Sequence, residues 1–325
     1  MLTAKTKNAL NCCLFALAAD GVLASEDKTG EMGIEVEAGY AYDNNLGIEE
    51  LDRASSSSDD AVLLGVKADG SWRPPGALTL SGGYQLRSQD YREMDGFDTL
   101  THLVHGGASY DLGGYSFGGT FHYAEAELNG DDFLQVRQPS ISVGKLANEQ
   151  WYWRVAVTEQ EKSFAALSHR DADNRSVGGD LYYFHTLNHY LSLSVAAVDE
   201  KAVTEAFDYQ GWRTRVQWFC EFAWREMRPE LQLSWQHDRR DYGEQGEVAP
   251  GAGNELPIFG NLSEASAAPG AVRDDRIDNV RLALEVPLNR AFSVVGEVQY
   301  ADHSSSVDTW SYDKTRFALS AKLHF

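Results

Sequence analysis

The chain has 325 residues, and its 49 acidic residues against 28 basic ones give it a formal net charge of −21. This balance argues against nucleic-acid binding, for which a basic face is expected. The mean hydropathy is −0.40, and we find no run of about 18 apolar residues that would predict a transmembrane helix. Aromatic residues nevertheless make up 11% of the chain. That combination is typical of strands with one apolar face, in a membrane barrel or in a soluble β-sandwich.

The N-terminus has the pattern of a secretory signal peptide. Two lysines precede a short apolar core at residues 12–19, and Val22-Leu23-Ala24 has the small-residue pattern of a cleavage site. The alternative interpretation is an ordinary frayed N-terminus. We predict a signal peptide at 1–24, a short periplasmic segment at 25–32 and a barrel domain at 33–325.

Alternation of apolar and polar residues is clearest at the C-terminus. Every second residue of the last segment is apolar: Phe317, Leu319, Ala321, Leu323 and Phe325. Because successive side chains of a strand point to opposite faces, one face of this strand is apolar and the other is wet. In a membrane barrel the apolar face meets lipid and the polar face lines the lumen. A lipid-facing terminal aromatic residue also resembles the signal that the barrel assembly machinery reads, so Phe317, Leu319, Leu323 and Phe325 are our candidates for that signal.

The same alternation recurs along the whole chain. We count fourteen segments, at 33–43, 60–73, 77–91, 98–111, 115–127, 133–146, 150–162, 173–185, 189–200, 208–219, 226–241, 274–287, 290–302 and 313–325. Each is long enough to cross a bilayer as a tilted strand, which takes about 9–11 residues. The sequence therefore predicts an all-β protein, a single antiparallel up-and-down transmembrane β-barrel of about 14 strands. We expect it in the outer membrane of a Gram-negative bacterium.

The gaps between these segments alternate between short and long. Every second gap is tight, as at Pro74-Pro75-Gly76 and Leu112-Gly113-Gly114, whereas the others are mostly longer and acidic. Short periplasmic turns and longer external loops predict this order. The longest gap, 243–273, contains the apolar residues Leu256, Ile258 and Phe259. It either folds into the lumen as a plug or extends outside, and the sequence leaves both open.

Eleven charged residues fall on the predicted lumen face by parity: Lys67, Arg87, Arg154, Asp180, Arg213, Arg215, Arg281, Glu285, Glu297, Arg316 and Lys322. One interpretation is a selectivity ladder for an anionic solute. The other, which the sequence favours, is that these charges pair across neighbouring strands and stiffen the barrel without selecting anything.

Signals for chemistry are weak. His169 and His303 fall in predicted outer loops with serines nearby, but a Ser-His-acid set needs convergence in space that sequence spacing does not reveal. No HExxH or P-loop pattern is present. We therefore predict that the chain is not an enzyme and has no cofactor or metal site.

Aromatic residues near the predicted strand ends are Tyr40, Tyr110, Trp151, Trp212 and Trp310. We interpret them as the interfacial girdle of a membrane barrel. The expected partners are therefore outer-membrane lipid and lipopolysaccharide, besides the barrel assembly machinery.

Four stretches resemble a known family: residues 40–45 (YAYDNN), 101–103 (THL), 171–174 (DADN) and 178–184 (GGDLYYF). They are similar to the barrel of the surface lipoprotein assembly modifiers (Slam), and the likeness spans most of residues 33–325. The resemblance implies fourteen strands and a client lipoprotein as partner. Members of the family carry a helical tetratricopeptide domain before the barrel, for which residues 25–32 leave no room.

These observations predict a transport barrel. It acts either as a pore for a small solute or as the translocation barrel of a surface lipoprotein export system. The alternatives are a structural or adhesive surface barrel and, after that, an outer-membrane enzyme with an active site at its rim.

Overall fold

The computed structural model describes residues 30–244, 272–307 and 310–325. Fourteen long strands lie in this part of the chain, together with two strands of two residues each, β2 (Gly47–Ile48) and β3 (Arg53–Ala54). The long strands are β1 (Gly30–Asp43), β4 (Asp59–Trp72), β5 (Leu78–Tyr91), β6 (Thr99–Leu112), β7 (Tyr115–Leu128), β8 (Asp131–Leu146), β9 (Trp151–Phe164), β10 (Ala172–Thr186), β11 (His189–Ala202), β12 (Tyr209–Glu221), β13 (Glu230–Glu244), β14 (Val272–Pro287), β15 (Phe292–Ser305) and β16 (Tyr312–His324). The other elements are four 3₁₀ turns: Glu49–Leu51, Asp95–Phe97, Ser168–Arg170 and Glu205–Phe207.

The long strands form one closed antiparallel barrel in chain order. Strand β1 pairs with β4 on one side and with β16 on the other, and the second pairing, which includes Gly39 opposite Ser320, closes the ring. The prediction of a fourteen-stranded up-and-down barrel is confirmed. Each of the fourteen segments found by alternation corresponds to one long strand, because one-sided burial imposes a period of two on every strand of a barrel.

The outer face of the barrel is apolar. Along β16, Phe317, Leu319, Leu323 and Phe325 are 50%, 62%, 43% and 75% exposed, while Lys322 on the opposite face is 7% exposed. Apolar side chains on the outside of a closed sheet are what a lipid-facing surface requires. The role of these four residues as an assembly signal stays a prediction.

The two ends of the barrel differ, and we name them by their connections. The turn end carries residues 73–77, 113–114, 147–150, 187–188, 222–229 and 288–291, and the loop end carries 44–58, 92–98, 165–171, 203–208 and 306–311. One connection at the loop end is unexpectedly tight. Asn129 and Gly130 have φ values of 53° and 79°, and this Asn-Gly pair joins β7 to β8 as a two-residue hairpin turn. By the usual asymmetry of such barrels, the loop end faces outside.

Some predictions fall on residues that the structure does not describe. They are the signal peptide at 1–24 and the course of residues 245–271, which include the apolar triplet. The ends of the predicted long loop are strand, since β13 extends to Glu244 and β14 begins at Val272. Strand β1 begins at Gly30, inside the predicted periplasmic segment 25–32, and Gly30 pairs with Trp72. Within the described ranges, no helix has the length and apolarity needed to cross a membrane.

We predict that Gly39→Val weakens the seam between β1 and β16. A Cβ atom on Gly39 would lie 2.6 Å from the Cβ of Ser320 and 2.8 Å from the carbonyl oxygen of Leu319. The added side chain must push the two strands apart, which costs about 1–3 kcal/mol of unfolding free energy. Thermal unfolding followed by circular dichroism measures the effect. Gly33→Val is the matched control in β1, because a Cβ there meets nothing within 4 Å, and equal losses in both variants would contradict the prediction.

Candidate functional site: the barrel lumen

A cavity of about 510 Å³ occupies the lumen between β5 and β12, on the side of the ring that contains β1. Six basic side chains line it: Lys67, Arg87, Arg215, Arg281, Arg316 and Lys322. In the described part of the chain, three acidic side chains do so, namely Glu35, Glu37 and Glu297. The excess of basic groups is notable in a chain whose net charge is −21. An excess of cationic side chains around a passage favours anions.

Strand register shows where the eleven predicted lumen residues lie. Paired residues share a face of the sheet, and the pairings place all eleven on the face opposite the exposed apolar side chains, as with Arg215 beside Gln236 and Arg316 beside Gln299. Seven of them line the large cavity: Lys67, Arg87, Arg215, Arg281, Glu297, Arg316 and Lys322. The other four, Arg154, Asp180, Arg213 and Glu285, lie elsewhere on that face. Their role in selecting a solute stays a proposal.

Most of these charges are engaged in ion pairs. Arg154 Nε lies 2.8 Å from Asp180 Oδ2, and Arg213 Nε lies 3.0 Å from Asp238 Oδ1. Arg281 Nε donates to Glu297 Oε2 at 2.8 Å. Such pairs inside a barrel satisfy one another and fix the positions of their strands.

Lysines of the lumen are paired in the same way. Lys322 Nζ lies 3.3 Å from Glu285 Oε2 and 3.5 Å from Glu35 Oε1. Lys67 Nζ lies 3.4 Å from Asp69 Oδ2. These charges are compensated locally and add little net attraction for a solute.

Two arginines of the cavity differ from the rest. Among the described residues, neither Arg87 nor Arg215 has a carboxylate within 4.0 Å. Arg215 donates to the side-chain oxygen of Gln236, and the side chain of Arg87 is exposed to the lumen with no hydrogen bond inside the described ranges. The cavity therefore holds two guanidinium groups whose charge is not neutralised by a neighbour.

The loop at residues 44–58, which we call the inward loop, crosses the lumen at the loop end. Its Leu46, Leu51 and Ile48 are 0%, 3% and 8% exposed. They pack in one apolar cluster with other residues, including Phe133 on β8 and Phe164 on β9. In the closed ring, β8 and β9 lie four and five positions from β4, so the loop reaches well beyond its own strands. The inward loop therefore fills part of the external mouth.

A buried carboxylate fixes the inward loop to β13 and β14. Asp52 accepts a hydrogen bond of 2.9 Å from Arg240 on β13 and one of 3.0 Å from Arg273 on β14. Although burial disfavours its charged form, the two guanidinium groups hold the pKa of Asp52 well below its usual value. Asp52 is thus an ionised anchor. A third contact holds the inward loop: Arg170 Nη1, from the 3₁₀ turn at Ser168–Arg170, donates to the carbonyl oxygen of Glu50 at 3.1 Å.

Aromatic rings hold these arginines in place. The guanidinium carbon of Arg273 lies 4.1 Å from the ring centroid of Tyr242 and 4.0 Å from that of Trp310. Its Nε donates to Asp275 at 3.0 Å. Asp275 also accepts hydrogen bonds from Ser305 at 2.6 Å and lies 3.1 Å from His303 Nε2. These contacts fix the position of Arg273 where Asp52 binds it.

Two sequence-based placements are wrong here. His303 lies in β15 and is 1% exposed, rather than in an outer loop. Trp310 is 7% exposed and packs on Arg273, so it does not belong to the interfacial girdle. His303 lies on the lumen face of β15 beside Asp275 and Tyr312, whereas Trp310 lies in the connection before β16 and packs against Arg170 and Arg273. Tyr40, Tyr110, Trp151 and Trp212 are 49%, 49%, 38% and 59% exposed, as a girdle requires.

Beneath the inward loop, a second cavity of about 220 Å³ is lined by Asp52, Arg240 and residues of β8, β9 and β12. Its charges are paired, since Lys162 Nζ lies 2.7 Å from Glu200 Oε2. Towards the turn end, an apolar cluster of Tyr152, Tyr182 and Phe184 fills the lumen face of β9 and β10. The cavity between β5 and β12 is the larger of the two described here. No group of three or more His, Cys, Asp or Glu side chains in the described residues is arranged to hold a metal ion.

No family model and no curated protein matches the chain. Solved structures of outer-membrane barrels do. OmpT of Vibrio cholerae, expressed in the outer membrane, is 9% identical with a TM-score of 0.50, over 94% of this chain and 100% of that one. An anion-selective porin from Comamonas acidovorans is 11% identical with a TM-score of 0.48, over 91% and 99%. OccK1 of Pseudomonas aeruginosa is 11% identical with a TM-score of 0.42, over 91% and 99%.

The closed fourteen-stranded barrel with an apolar outer face is thus an outer-membrane β-barrel of a Gram-negative bacterium. Likeness at this level of identity concerns the fold alone. The comparison with solved structures corrects our prediction about enzymatic activity. We expected the chain not to be an enzyme, but OmpT of Vibrio cholerae stands beside porins among the matching barrels. A fold shared by barrels of different kinds does not exclude enzymatic activity, so that exclusion is withdrawn.

Proposed function

We propose that the chain is an outer-membrane pore for small polar solutes and that it prefers anions. The observation that carries the proposal is the lumen cavity of about 510 Å³, with six basic and three acidic side chains in its lining. Paired charges such as Arg281 and Glu297 shape its wall, while Arg87 and Arg215 supply uncompensated positive charge. The inward loop narrows the external mouth and restricts the size of what enters.

Planar-bilayer recording tests the proposal. We expect stepwise conductance and, in a salt gradient, a zero-current potential of the sign that marks anion preference. The double variant Arg87→Glu and Arg215→Glu is expected to reverse that sign, because four units of charge change around one passage. Arg137→Glu is the matched control, since Arg137 is an exposed arginine of β8 that pairs with Glu161 on the outer face. Absence of conductance in the unmodified chain, or an unchanged sign in the double variant, would contradict the proposal.

The second candidate function is that of a translocation barrel for surface lipoproteins. It is supported by the resemblance of residues 40–45 and 178–184 to the surface lipoprotein assembly modifiers and by the strand number that this resemblance implies. Deleting the chain is then expected to remove a client lipoprotein from the cell surface, measured by protease accessibility on intact cells. Unchanged surface display together with lost solute uptake would favour the pore.

A further inference from the structure

We propose that Arg87 with Gln85, and Arg215 with Gln217, form a binding site for a polyhydroxylated organic anion. The inference rests on the proposed function, because the solute reaches this site through the same lumen. It adds a ligand class and names the residues that recognise it. The site consists of Arg87 and Gln85 on one wall and Arg215 and Gln217 on the other, and we call it the two-wall site.

The two walls face each other across the lumen. Strands β5 and β12 are seven positions apart in a ring of fourteen, which places them on opposite sides of the barrel. All four side chains line the same cavity of about 510 Å³. That volume lies within the range of about 300–1,000 Å³ found for small-molecule sites. The four side chains therefore face one continuous space inside the lumen.

Uncompensated charge selects an anion. Other basic groups of the lining are partnered, as with Arg281 on Glu297 and Lys322 on Glu35 and Glu285. Within the described residues, Arg87 and Arg215 have no such carboxylate. Arg215 donates from Nε and Nη2 to Gln236, which leaves the Nη1 side of its guanidinium group for a solute, whereas Arg87 has no hydrogen bond in the described ranges. A guanidinium group matches the geometry of a carboxylate or a phosphate through two parallel hydrogen bonds.

The neighbouring amides select hydroxyl groups. Gln85 lies two residues before Arg87, and Gln217 lies two residues after Arg215. Because β5 runs from the turn end to the loop end and β12 runs the opposite way, both glutamines lie on the turn-end side of their arginines. Neither amide makes a side-chain hydrogen bond in the described part of the chain. Each therefore offers donors and an acceptor, the combination that a hydroxyl group needs.

The rest of the lining agrees with this ligand class. Four more amides face the cavity, from Gln232, Gln236, Asn279 and Gln299. No aromatic ring occurs in the described lining, so a neutral sugar that binds by stacking is not favoured. Anionic and hydroxyl groups in one small molecule match what the wall presents.

Calorimetric titration of the full chain in detergent tests the two-wall site. The probes are D-glucuronate and glucose 6-phosphate, which distinguish a carboxylate from a phosphate, with glucose and acetate as comparisons. We expect one or both polyhydroxylated anions to bind more tightly than glucose and acetate. Arg87→Gln and Arg215→Gln are each expected to weaken that binding about tenfold, because each removes a hydrogen-bonded charge. Gln85→Leu with Gln217→Leu is expected to weaken binding of D-glucuronate and to leave acetate unchanged.

The controls separate this inference from the pore itself. Arg137→Gln on the outer face is expected to bind like the unmodified chain, and circular dichroism checks that every variant is folded. Glucose or acetate binding as tightly as both anions, or arginine variants with unchanged affinity, would overturn the site. Conductance without anion binding overturns the site and leaves the pore, whereas anion binding without conductance overturns the pore and leaves the site.

Discussion

Replacing Asp52 by alanine is expected to release the inward loop and to raise the single-channel conductance severalfold. The substitution leaves Arg240 and Arg273 without the carboxylate that they share at 2.9 and 3.0 Å. Breaking a buried ion pair from one side costs about 3–5 kcal/mol, and here that energy holds the loop against β13 and β14. Conductance and proteolytic cleavage within residues 44–58 are the measurements, and both are expected to increase.

Asp241→Ala is the control for this prediction. Asp241 pairs with Arg239 on the outer face, where both side chains are about half exposed, so its loss is expected to cost below about 1 kcal/mol. Conductance that is equal in Asp52→Ala and in the unmodified chain would show that the inward loop does not restrict the passage. A rise in both variants would show that the effect is not specific to the loop.

The pH dependence of loop docking follows from the same carboxylate. The pKa of Asp52 is lowered below its usual value of about 4 because Arg240 and Arg273 outweigh the cost of burial. A group with a depressed folded-state pKa contributes stability above its unfolded pKa and loses it only as pH falls through the folded one. Conductance is therefore expected to stay low from neutral pH down to about pH 4. An increase between about pH 6 and 5 would contradict the role of Asp52.

Leu193→Arg is expected to destabilise the barrel by about 2–4 kcal/mol, the cost of an arginine on the lipid face near the membrane midplane. Leu193 is 42% exposed and lies on the outer face between Leu181 of β10 and Val216 of β12. Both neighbours are apolar, so the charge has no partner within the sheet. Denaturant unfolding in lipid vesicles, followed by tryptophan fluorescence, measures the loss.

Val203→Arg provides the comparison. Val203 is 70% exposed in the connection between β11 and β12, at the loop end, where an arginine is expected to remain in water. Its effect is expected to be below about 0.5 kcal/mol. If Leu193→Arg were as stable as Val203→Arg in vesicles, the apolar outer face of β11 would not be in contact with lipid.

Alternation alone was enough to predict the barrel. Each strand of this barrel has one apolar face and one polar face. The alternation with a period of two therefore occurs within each strand and is visible without knowing which strands are its neighbours. Parity also assigned Arg87, Arg215 and the other nine charged residues to one face correctly. Where the prediction was inexact, as for the segment at 226–241, a local turn was the reason. Trp224 bridges to Met227, and β13 begins only at Glu230.

Tertiary structure decided what the lumen contains. Pairing between neighbouring strands, as between Arg154 and Asp180, decides which charges are neutralised. The strand order of the closed ring decides which charges have no such neighbour. For residues 243–273 the sequence left an inward and an outward course open, whereas the described lumen is crossed by residues 44–58. Leu46 and Asp52 reach strands far away in sequence, and nothing in their local pattern encodes that contact. Burial of His303 and Trp310 has the same cause. The sequence by itself determined the strands and their faces, because these are local properties of a one-sided strand. The inward loop and the two uncompensated arginines came only from contacts across the barrel.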